Sequence, residues 1–235
     1  MQRAIKCPTS IWDVRGLSKL ATIHNDLKII VGVRHPVSWF QSYYNYRITE
    51  MHDKNTLTKP PLPQQLIGSH SWKGISTDGA RFELGLMQLG KIELDQHELL
   101  VLGKSGRRVF PSKFKVFLYS IDQLEDANEE RSKIFRNDLQ NFLGLQNEIK
   151  QIPRSNVNHF VGKSRHPETI DICDERYSKL RSILIKNGMK SNKWLRSRFV
   201  HHMDVTVGGR DHFLEIIDKW GSDPCVYQTE AQGKN

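Results

Sequence analysis

The chain has 235 residues, of which 37% are hydrophobic and 26% charged, and its mean hydropathy is −0.55. This length suits one domain, and the composition is that of a soluble protein. No stretch approaches the roughly 18 apolar residues that cross a membrane, and no long apolar run follows the first residues as in a signal peptide. Three cysteines, Cys7, Cys173 and Cys225, are too few and too scattered to predict a disulfide scaffold or a zinc site.

The net charge of +9 is unevenly distributed along the chain. Residues 1–60 carry a net +5 and residues 151–210 a net +7, whereas residues 61–150 are neutral and residues 211–235 carry −3. If the fold brings the two basic segments together, they form one electropositive cleft. Nucleic acid, an anionic glycan, membrane headgroups and a nucleotide phosphate all suit such a charge. The alternative is a generally basic surface without a specific ligand.

The first predicted elements are a helix over residues 14–24, a strand at Lys28–Arg34 and a helix from Pro36 to about Ile48. The strand is short, apolar and rich in β-branched residues, which is typical of a strand buried on both faces. Proline suits the first turn of the helix that follows. Helix, buried strand and helix in succession predict an α/β domain with a parallel sheet.

The rest of the chain is predicted to contain one further strand and several helices. In chain order we expect a loop over 52–78, helices over 80–90 and 95–102, a strand at Lys115–Ser120, a helix over 128–143 ended by Gly144, a loop over 151–167, a helix over 168–187 ended by Gly188, and a helix over 210–220. Two strong strands are too few for a parallel sheet. Either weaker strands are hidden, or part of the sheet precedes residue 1.

Hydrophobic periodicity predicts the buried side chains of the helix over 128–143: Ile134, Leu139, Phe142 and Leu143. In the helix over 168–187 it places five apolar side chains on or near one face: Ile172, Tyr177, Leu180, Ile183 and Leu184.

A candidate anion site lies at the end of the first strand. In open α/β sheets, ligands bind outside the carboxyl ends of the strands, and Arg34 ends this one. Its forked donors suit a phosphate, and the positive end of the following helix dipole, with its free N–H groups, points the same way. Ser38 and Ser42 share a face of that helix and offer hydroxyl donors. Alternatively, Arg34 is solvated or paired with a carboxylate, and the serines bond to backbone carbonyls.

The string from Lys28 to Asn45 resembles the 3′-phosphate-binding segment of sulfotransferases that use 3′-phosphoadenosine 5′-phosphosulfate (PAPS). That family has a hydrophobic strand, then Arg-Asp-Pro, then a helix with a serine eight residues after the arginine. Arg34 and Ser42 have this spacing, while His35 stands where the family has aspartate. The resemblance implies that Arg34 and Ser42 hold the 3′-phosphate.

Further segments resemble the Golgi, heparan-sulfate-type branch of the family. Lys6-Cys7-Pro8 is similar to its Lys-x-Pro segment, which places Lys6 near the acceptor sugar; without the resemblance Lys6 is a solvated lysine. The stretch over 116–145 is similar to a strand, a Glu-x-Leu turn and a Phe-Leu-Gly-Leu helix end, with no chemistry assigned. The segment over 161–167 is similar to a Lys-Gly-Arg-x-His-Pro loop, although Ser164 replaces glycine and the loop is one residue shorter. The resemblance implies that Lys163 and Arg165 contact the cofactor.

The resemblance implies a three-layer, P-loop-NTPase-like fold with a parallel sheet and flanking helices. The family binds the 5′-phosphosulfate through a Lys-x-Gly-Thr loop after the first strand, and this sequence contains no such loop. We therefore expect a sulfotransferase-like domain over 1–220 that lacks the first strand, the phosphate loop and a first helix or two. Residues 221–235 are expected to form a frayed tail.

The function implied is transfer of a sulfuryl group from PAPS to a hydroxyl or amine of an acceptor, which in this branch is a carbohydrate. No catalytic base is assigned; five histidines, His24, His35, His70, His159 and His166, are possible in principle. One alternative is a non-catalytic protein that binds the product PAP (3′-phosphoadenosine 5′-phosphate) or an anionic glycan. The other is a basic nucleic-acid-binding protein, for which no motif is present. The branch implies the Golgi lumen if an upstream anchor exists, and otherwise a soluble intracellular protein.

Overall fold

The computed structural model describes residues 27–53, 62–63, 115–151 and 167–226. The elements in chain order are β1 (Lys28–Val33), α1 (Pro36–Asp53), β2 (Lys115–Ser120), α2 (Glu129–Leu143), α3 (Ser178–Arg198), β3 (Val205–Val207) and α4 (Arg210–Asp218), with short 3₁₀ helices at Ile121–Glu125, Glu175–Tyr177 and Lys219–Gly221. The predicted helices over 14–24, 80–90 and 95–102 lie outside the described residues, as do residues 54–61 and 64–78 of the first predicted loop and residues 152–166 of the second.

The described strands form one parallel sheet in the order β1-β2-β3. β1 and β2 pair continuously, from Lys28 opposite Lys115 to Val33 opposite Ser120. β3 pairs with the other edge of β2. The predicted α/β class with a parallel sheet is therefore confirmed. β3 was not predicted from the sequence, because its three residues are too few to show a periodic pattern of apolar side chains.

Helices cover both faces of the sheet. Side chains along β2 point alternately to the two faces and pack into a different cluster on each. Val116 and Leu118 pack with residues of α3 and α4 in one cluster. Phe117 packs on the opposite face with Phe135 and Phe142 of α2. Val116, Phe117 and Leu118 are all fully buried, so β2 is the central strand of the described sheet.

β1 was predicted to be buried on both faces, and this is wrong for one of them. Val31 and Val33 are buried in the α3–α4 cluster, whereas Ile30 on the opposite face is 48% exposed. On that face Tyr119 of β2 lies across Gly32, where a Cβ atom would come within 2.8 Å of the tyrosine ring. β1 is also an edge strand among the described strands, which explains its partial exposure.

α2 begins and ends with the caps that its sequence provides. The Asn128 side chain accepts a hydrogen bond from the Arg131 amide, and Gly144 ends the helix in the left-handed conformation at φ 70°, as predicted. The predicted buried set is correct for Phe142 and wrong for Ile134, which is 48% exposed. Leu139 and Leu143 are half-buried against the aromatic cluster. The adjacent Phe135, which the prediction missed, is buried instead.

α3 starts ten residues later than predicted and does not end at Gly188. The start is delayed because residues before Ser178 bond to side chains of α1 rather than to their own helix; Gln41 accepts from the Ile172 amide at 2.6 Å. Gly188 lies inside α3, where a Cβ atom would come within 2.5 Å of the Trp220 carbonyl oxygen. The glycine thus permits close packing rather than ending the helix.

Of the five apolar residues predicted on or near one face around α3, four are buried with α1: Ile172, Tyr177, Leu180 and Leu184. Ile183 is 39% exposed.

The frayed tail expected from residue 221 does not include residues 221–226. Cys225 is buried and forms a disulfide with Cys173, with a Cα–Cα distance of 5.4 Å. The buried Arg181 guanidinium of α3 donates to the Asp223 carboxylate at 3.1 Å and to the Ile172 carbonyl at 2.8 Å. These contacts fasten the C-terminal segment to the chain that precedes α3. Residues 227–235 lie outside the described residues.

Among the described residues, no helix is both long and apolar enough to cross a membrane.

Candidate functional site

The carboxyl ends of all three described strands lie along one edge of the sheet, because the strands are parallel and in register. Each strand is followed by polar or glycine residues: Arg34 and His35 after β1, Ser120 to Gln123 at the end of β2, and Gly208 and Gly209 after β3. This edge is where open α/β sheets bind ligands. The three strand ends differ in their capacity to hold an anion.

The end of β1 carries an arginine with no acidic partner among the described residues. Arg34 follows Val33 directly and is half-buried. Its Nε atom is buried and has no hydrogen-bond partner in the described part of the chain. A buried guanidinium donor without a partner is costly, since the cost of desolvating it is not offset. The alternative in which Arg34 pairs with a carboxylate finds no support here, and the group is positioned to receive an anion.

His35 caps the N-terminus of α1. Its Nδ1 atom accepts a hydrogen bond from the Val37 amide at 3.2 Å, as an N-cap side chain does. The ring is buried and meets Trp220 edge-on, with the ring centroids 6.4 Å apart. Burial lowers the pKa of His35 below its usual 6.5, although the nearby backbone of Ser222 opposes the shift. The imidazole is therefore neutral, with its proton on Nε2 when Nδ1 accepts.

The expectation of free amide donors at the start of α1 is only partly met. Pro36 has no N–H group, the Val37 amide is used by His35, and the Trp39 amide donates to the His35 carbonyl at 2.8 Å. What remains at this helix end is the Ser38 amide, which has no partner among the described residues, and the positive end of the dipole next to the Arg34 guanidinium. Side chains, more than backbone amides, would bind an anion here.

Ser42 lies on the exposed side of α1, and its hydroxyl makes no hydrogen bond within the described structure. The buried side is formed by Val37, Phe40, Tyr44 and Ile48, the stripe that packs against α3. Thr49 of the same helix does bond back to a carbonyl, that of Asn45, at 3.0 Å. Ser42 has no such bond, so the alternative reading of a back-bonded serine does not apply and its hydroxyl is available to a ligand.

The aromatic side chains of α1 belong mainly to the core. Phe40 and Tyr44 are buried, and burial raises the pKa of Tyr44 to about 12. Trp39 and Tyr43 stack on each other with ring centroids 5.4 Å apart, at the margin of the same cluster. Tyr46 is 51% exposed. Nothing in this arrangement indicates a sugar-stacking platform.

The ends of β2 and β3 are occupied by the protein's own groups. Gln123 closes a capping box with Ser120 and donates to the Gly208 carbonyl at 2.7 Å, which joins the two strand ends. The amide of Gly209, at the start of α4, donates to the Asp138 carboxylate at 2.8 Å. An anion would have to displace that carboxylate to reach α4. Of the three strand ends described, the end of β1 is the one suited to an anion.

α1 is joined directly to the second basic segment, at the chain that follows the predicted cofactor loop over 161–167. The Asn45 side chain donates to the Ile170 carbonyl at 2.9 Å and accepts from the Ile170 amide at 2.8 Å. Lys163 and Arg165, predicted to contact the cofactor, lie outside the described residues, as does Lys6. The structure therefore places Arg34 and Ser42 on one strand–helix unit and shows only where the chain after Arg165 attaches to that unit.

Sequence reasoning missed the Cys173–Cys225 disulfide. It also missed the hydrogen bonds that Arg181 donates to the Asp223 carboxylate and to the Ile172 carbonyl. The two cysteines are 52 residues apart, and no spacing rule pairs them. Arg181 could not be distinguished from the other cations of its helix, because its burial depends on the distant Asp223. These groups fix the position of the segment that Asn45 holds.

No protein-family model, curated protein or solved structure matches this chain.

Proposed function

We propose that this chain is a PAPS-dependent sulfotransferase that transfers a sulfuryl group to a hydroxyl or amine, with a carbohydrate as the acceptor. The observation that carries the proposal is the unpartnered Arg34 guanidinium at the carboxyl end of β1, followed by α1 with a free Ser42 hydroxyl. A guanidinium and a hydroxyl in this position are donors that suit a phosphate group. The spacing of the two residues is that of the family's 3′-phosphate segment.

In this proposal, Arg34 and Ser42 hold the 3′-phosphate of the nucleotide, and Lys163 and Arg165 contact its phosphosulfate end. The attachment of Ile170 to Asn45 supports this arrangement. Arg165 is five residues before Ile170, and five residues span at most about 18 Å. The predicted cofactor loop over 161–167 therefore ends within reach of α1, as a shared nucleotide site requires.

PAPS supplies the sulfuryl group, which passes in line to the acceptor oxygen or nitrogen. This chain's cations would stabilise the negative charge that develops on the bridging oxygen, and a general base would take the acceptor proton. Lys6 is proposed to lie near the acceptor. His35 is unsuited to the role of base, because its Nδ1 caps α1 and its Nε2 is buried near Trp220. The base remains unassigned.

The disulfide supports an oxidising location, such as the Golgi lumen that the resemblance implies. Disulfides persist in secretory and extracellular compartments and are rare in the cytosol. Cys173 and Cys225 are joined in a buried, hydrogen-bonded region and not at an exposed redox site.

A second candidate is a protein that binds PAP or an anionic glycan without catalysing transfer. It is favoured by one observation: the sequence contains no Lys-x-Gly-Thr loop to hold the 5′-phosphosulfate. Transfer of labelled sulfur from PAPS to a mixture of acceptor glycans separates the two candidates. Labelled product supports the enzyme, whereas PAP binding without product supports the binding protein. Tight binding of duplex DNA with a steep salt dependence, and no response to PAP, would instead favour the nucleic-acid alternative.

The site itself is tested by thermal stabilisation of the full chain with PAP. We expect Arg34→Ala to weaken PAP binding by about 10- to 100-fold, the effect of losing a charge-assisted hydrogen bond, and Ser42→Ala to weaken it about fivefold.

Matched controls for these variants are Arg176→Ala, an exposed arginine beside α3, and Ser182→Ala, an exposed helical serine that bonds to the Ser178 carbonyl. Both should leave the PAP response unchanged. Equal responses in Arg34→Ala and wild type would contradict the proposed site.

A further inference from the structure

The Cys173–Cys225 disulfide joins the two segments of the chain that contact α1 near the candidate anion site. One is the turn before α3, which contains Cys173. The other is the C-terminal segment over 219–226, which contains Cys225. α1 carries Ser42 and begins two residues after Arg34, so a constraint on α1 is also a constraint on that site.

The turn before α3 is hydrogen-bonded to the middle of α1. The Ile172 amide donates to the Gln41 side chain at 2.6 Å, and Gln41 directly precedes Ser42. One turn further along α1, the Asn45 side chain donates to the Ile170 carbonyl at 2.9 Å and accepts from the Ile170 amide at 2.8 Å. The position of Ser42 therefore depends on where this turn lies.

The C-terminal segment contacts the start of α1. The fully buried Trp220 ring meets the His35 ring edge-on, with the ring centroids 6.4 Å apart. Burial lowers the pKa of His35, and the Ser222 backbone lies near enough to the imidazole to oppose that shift. Because His35 caps α1 and directly follows Arg34, this segment supports the turn that positions the guanidinium.

These contacts form a closed path around the start of α1, which we call the α1 brace. The path runs from His35 through Trp220 and residues 221–224 to Cys225, across the disulfide to Cys173, and back through Ile172 to Gln41. Arg181 links the same two segments a second time, since its guanidinium donates to the Asp223 carboxylate and to the Ile172 carbonyl. Opening the disulfide therefore loosens the α1 brace without releasing it.

The disulfide is accessible to a reductant from the side of Cys173. This residue is half-buried, whereas Cys225 is only 8% exposed. A thiolate of a dithiol reductant attacks Cys173 Sγ and displaces Cys225 as a thiolate, which takes up a proton. The second thiol of the reductant then displaces Cys173. The reductant is oxidised to its disulfide, and the two cysteines gain its two electrons and two protons.

We propose that the Cys173–Cys225 disulfide is a redox-sensitive element that sets the anion affinity of the site formed by Arg34 and Ser42. In the oxidised chain, the α1 brace holds these two donors in the arrangement that binds a phosphate. In the reduced chain, the two segments separate more often by local opening, and an anion must bear the cost of ordering them. The inference rests on the proposed nucleotide site and adds that thiol reductants regulate it.

The test is the affinity of the full chain for PAP, measured by isothermal titration before reduction, after reduction with dithiothreitol and after reoxidation. We expect reduction to weaken binding about fivefold or more, as is usual for coupling between two sites, and reoxidation to restore it. The double variant Cys173→Ser/Cys225→Ser should bind like the reduced chain and should not respond to dithiothreitol. In Gln41→Ala, which interrupts the α1 brace outside the disulfide, reduction should have a smaller effect than in wild type.

Two control variants separate positioning of the site from a general loss of stability. Phe135→Ala removes a buried ring on the opposite face of the sheet, and its expected loss of stability is similar to that from loss of the disulfide. Its affinity for PAP should stay within about twofold of wild type. Cys7→Ser should respond to dithiothreitol as wild type does. Circular dichroism verifies that each variant is folded during the titration, and the reduction and reoxidation of wild type do not require the double variant to fold.

Equal PAP affinity in the oxidised and reduced chains would overturn the inference and leave the proposed site in place. Equal weakening in Phe135→Ala and in the double variant would also overturn it, because the effect would then be one of stability alone. If the oxidised chain does not bind PAP, the proposed function fails, and this inference fails with it.

Discussion

At the scale of single residues, His35 shows how a histidine side chain can cap a helix. Aspartate is a common N-cap residue, whose carboxylate oxygen accepts from the helix backbone. Here the neutral imidazole accepts from the Val37 amide through Nδ1. His35 therefore caps α1 without placing a negative charge next to Arg34.

The burial of His35 predicts a pH dependence of stability. Because its pKa in the folded chain lies below 6.5, the unfolded chain binds a proton first as pH falls. The stabilisation is therefore fully present above about pH 6.5 and is lost as pH falls from there towards the folded pKa. His35→Asn keeps a capping acceptor but does not titrate. In urea unfolding at pH 7.5 and 5.5, wild type should lose more stability than this variant.

His212 does not confound that comparison. Burial also lowers its pKa, partly opposed by the Asp126 carboxylate 3.1 Å away, but it titrates equally in wild type and in His35→Asn. The difference between the two proteins isolates His35. Identical losses of stability between pH 7.5 and 5.5 would show that His35 is not buried as a neutral cap.

At the scale of elements, the sequence predicted long, regular segments well and short or tertiary-dependent ones poorly. β1, β2, α1, α2 and α4 were located within a few residues of their observed bounds. β3 was missed, since three residues do not show an alternating pattern. Gly188 was predicted to end a helix. Its actual role is to make room for the Trp220 carbonyl, which packs against it, and this contact could not be predicted because Trp220 lies 32 residues further along the chain.

Helical phase was the other source of error. Ile134 and Phe135 are adjacent apolar residues in α2, and only one can face the sheet. The structure selects Phe135, whose ring contacts that of Phe117 with a centroid distance of 5.8 Å. Periodicity cannot choose between neighbours of this kind, because the choice depends on the shape of the opposing strand.

The disulfide should be a major source of stability for the segments around α3. By chain entropy, a crosslink between residues 52 apart contributes about 4 kcal/mol. We expect the double variant Cys173→Ser/Cys225→Ser to lose on the order of 3 to 4 kcal/mol in urea unfolding. Cys7→Ser, which removes the thiol outside this bond, is the control and should lose little.

Reduction of wild type with dithiothreitol should reproduce the loss seen in the double variant. If reduction and the double variant both leave the unfolding free energy unchanged, the pairing of Cys173 with Cys225 is wrong, and the support for an oxidising location is lost with it.

At the scale of the whole molecule, the distribution of charge was visible in the sequence but its division was not. The two basic segments do contact each other, since Asn45 in the first is hydrogen-bonded to Ile170 in the second. Their charge nevertheless lies on two different surfaces. Arg34 is at the strand-end site, whereas the exposed cations Lys179, Lys186, Lys190 and Lys193 lie along α3. Composition alone could not separate them, because the separation depends on which side chains a helix exposes.

Only the part of the candidate site that depends on local sequence could be predicted. Arg34 and Ser42 could be singled out because they lie on one continuous strand–turn–helix segment, where spacing fixes geometry. The contacts by which Gln123 and Asp138 occupy the ends of β2 and β3 could not be predicted, since both join residues more than 70 positions apart. These contacts are what single out the end of β1.

The end of β1 is proposed to bind the 3′-phosphate of an adenine nucleotide. Adenosine 5′-phosphate lacks only that phosphate, so isothermal titration of the full chain with PAP and with adenosine 5′-phosphate isolates this contact. We expect PAP to bind at least about tenfold more tightly and Arg34→Ala to remove the difference. Equal affinity for the two nucleotides, or a preference that persists in Arg34→Ala, would contradict it.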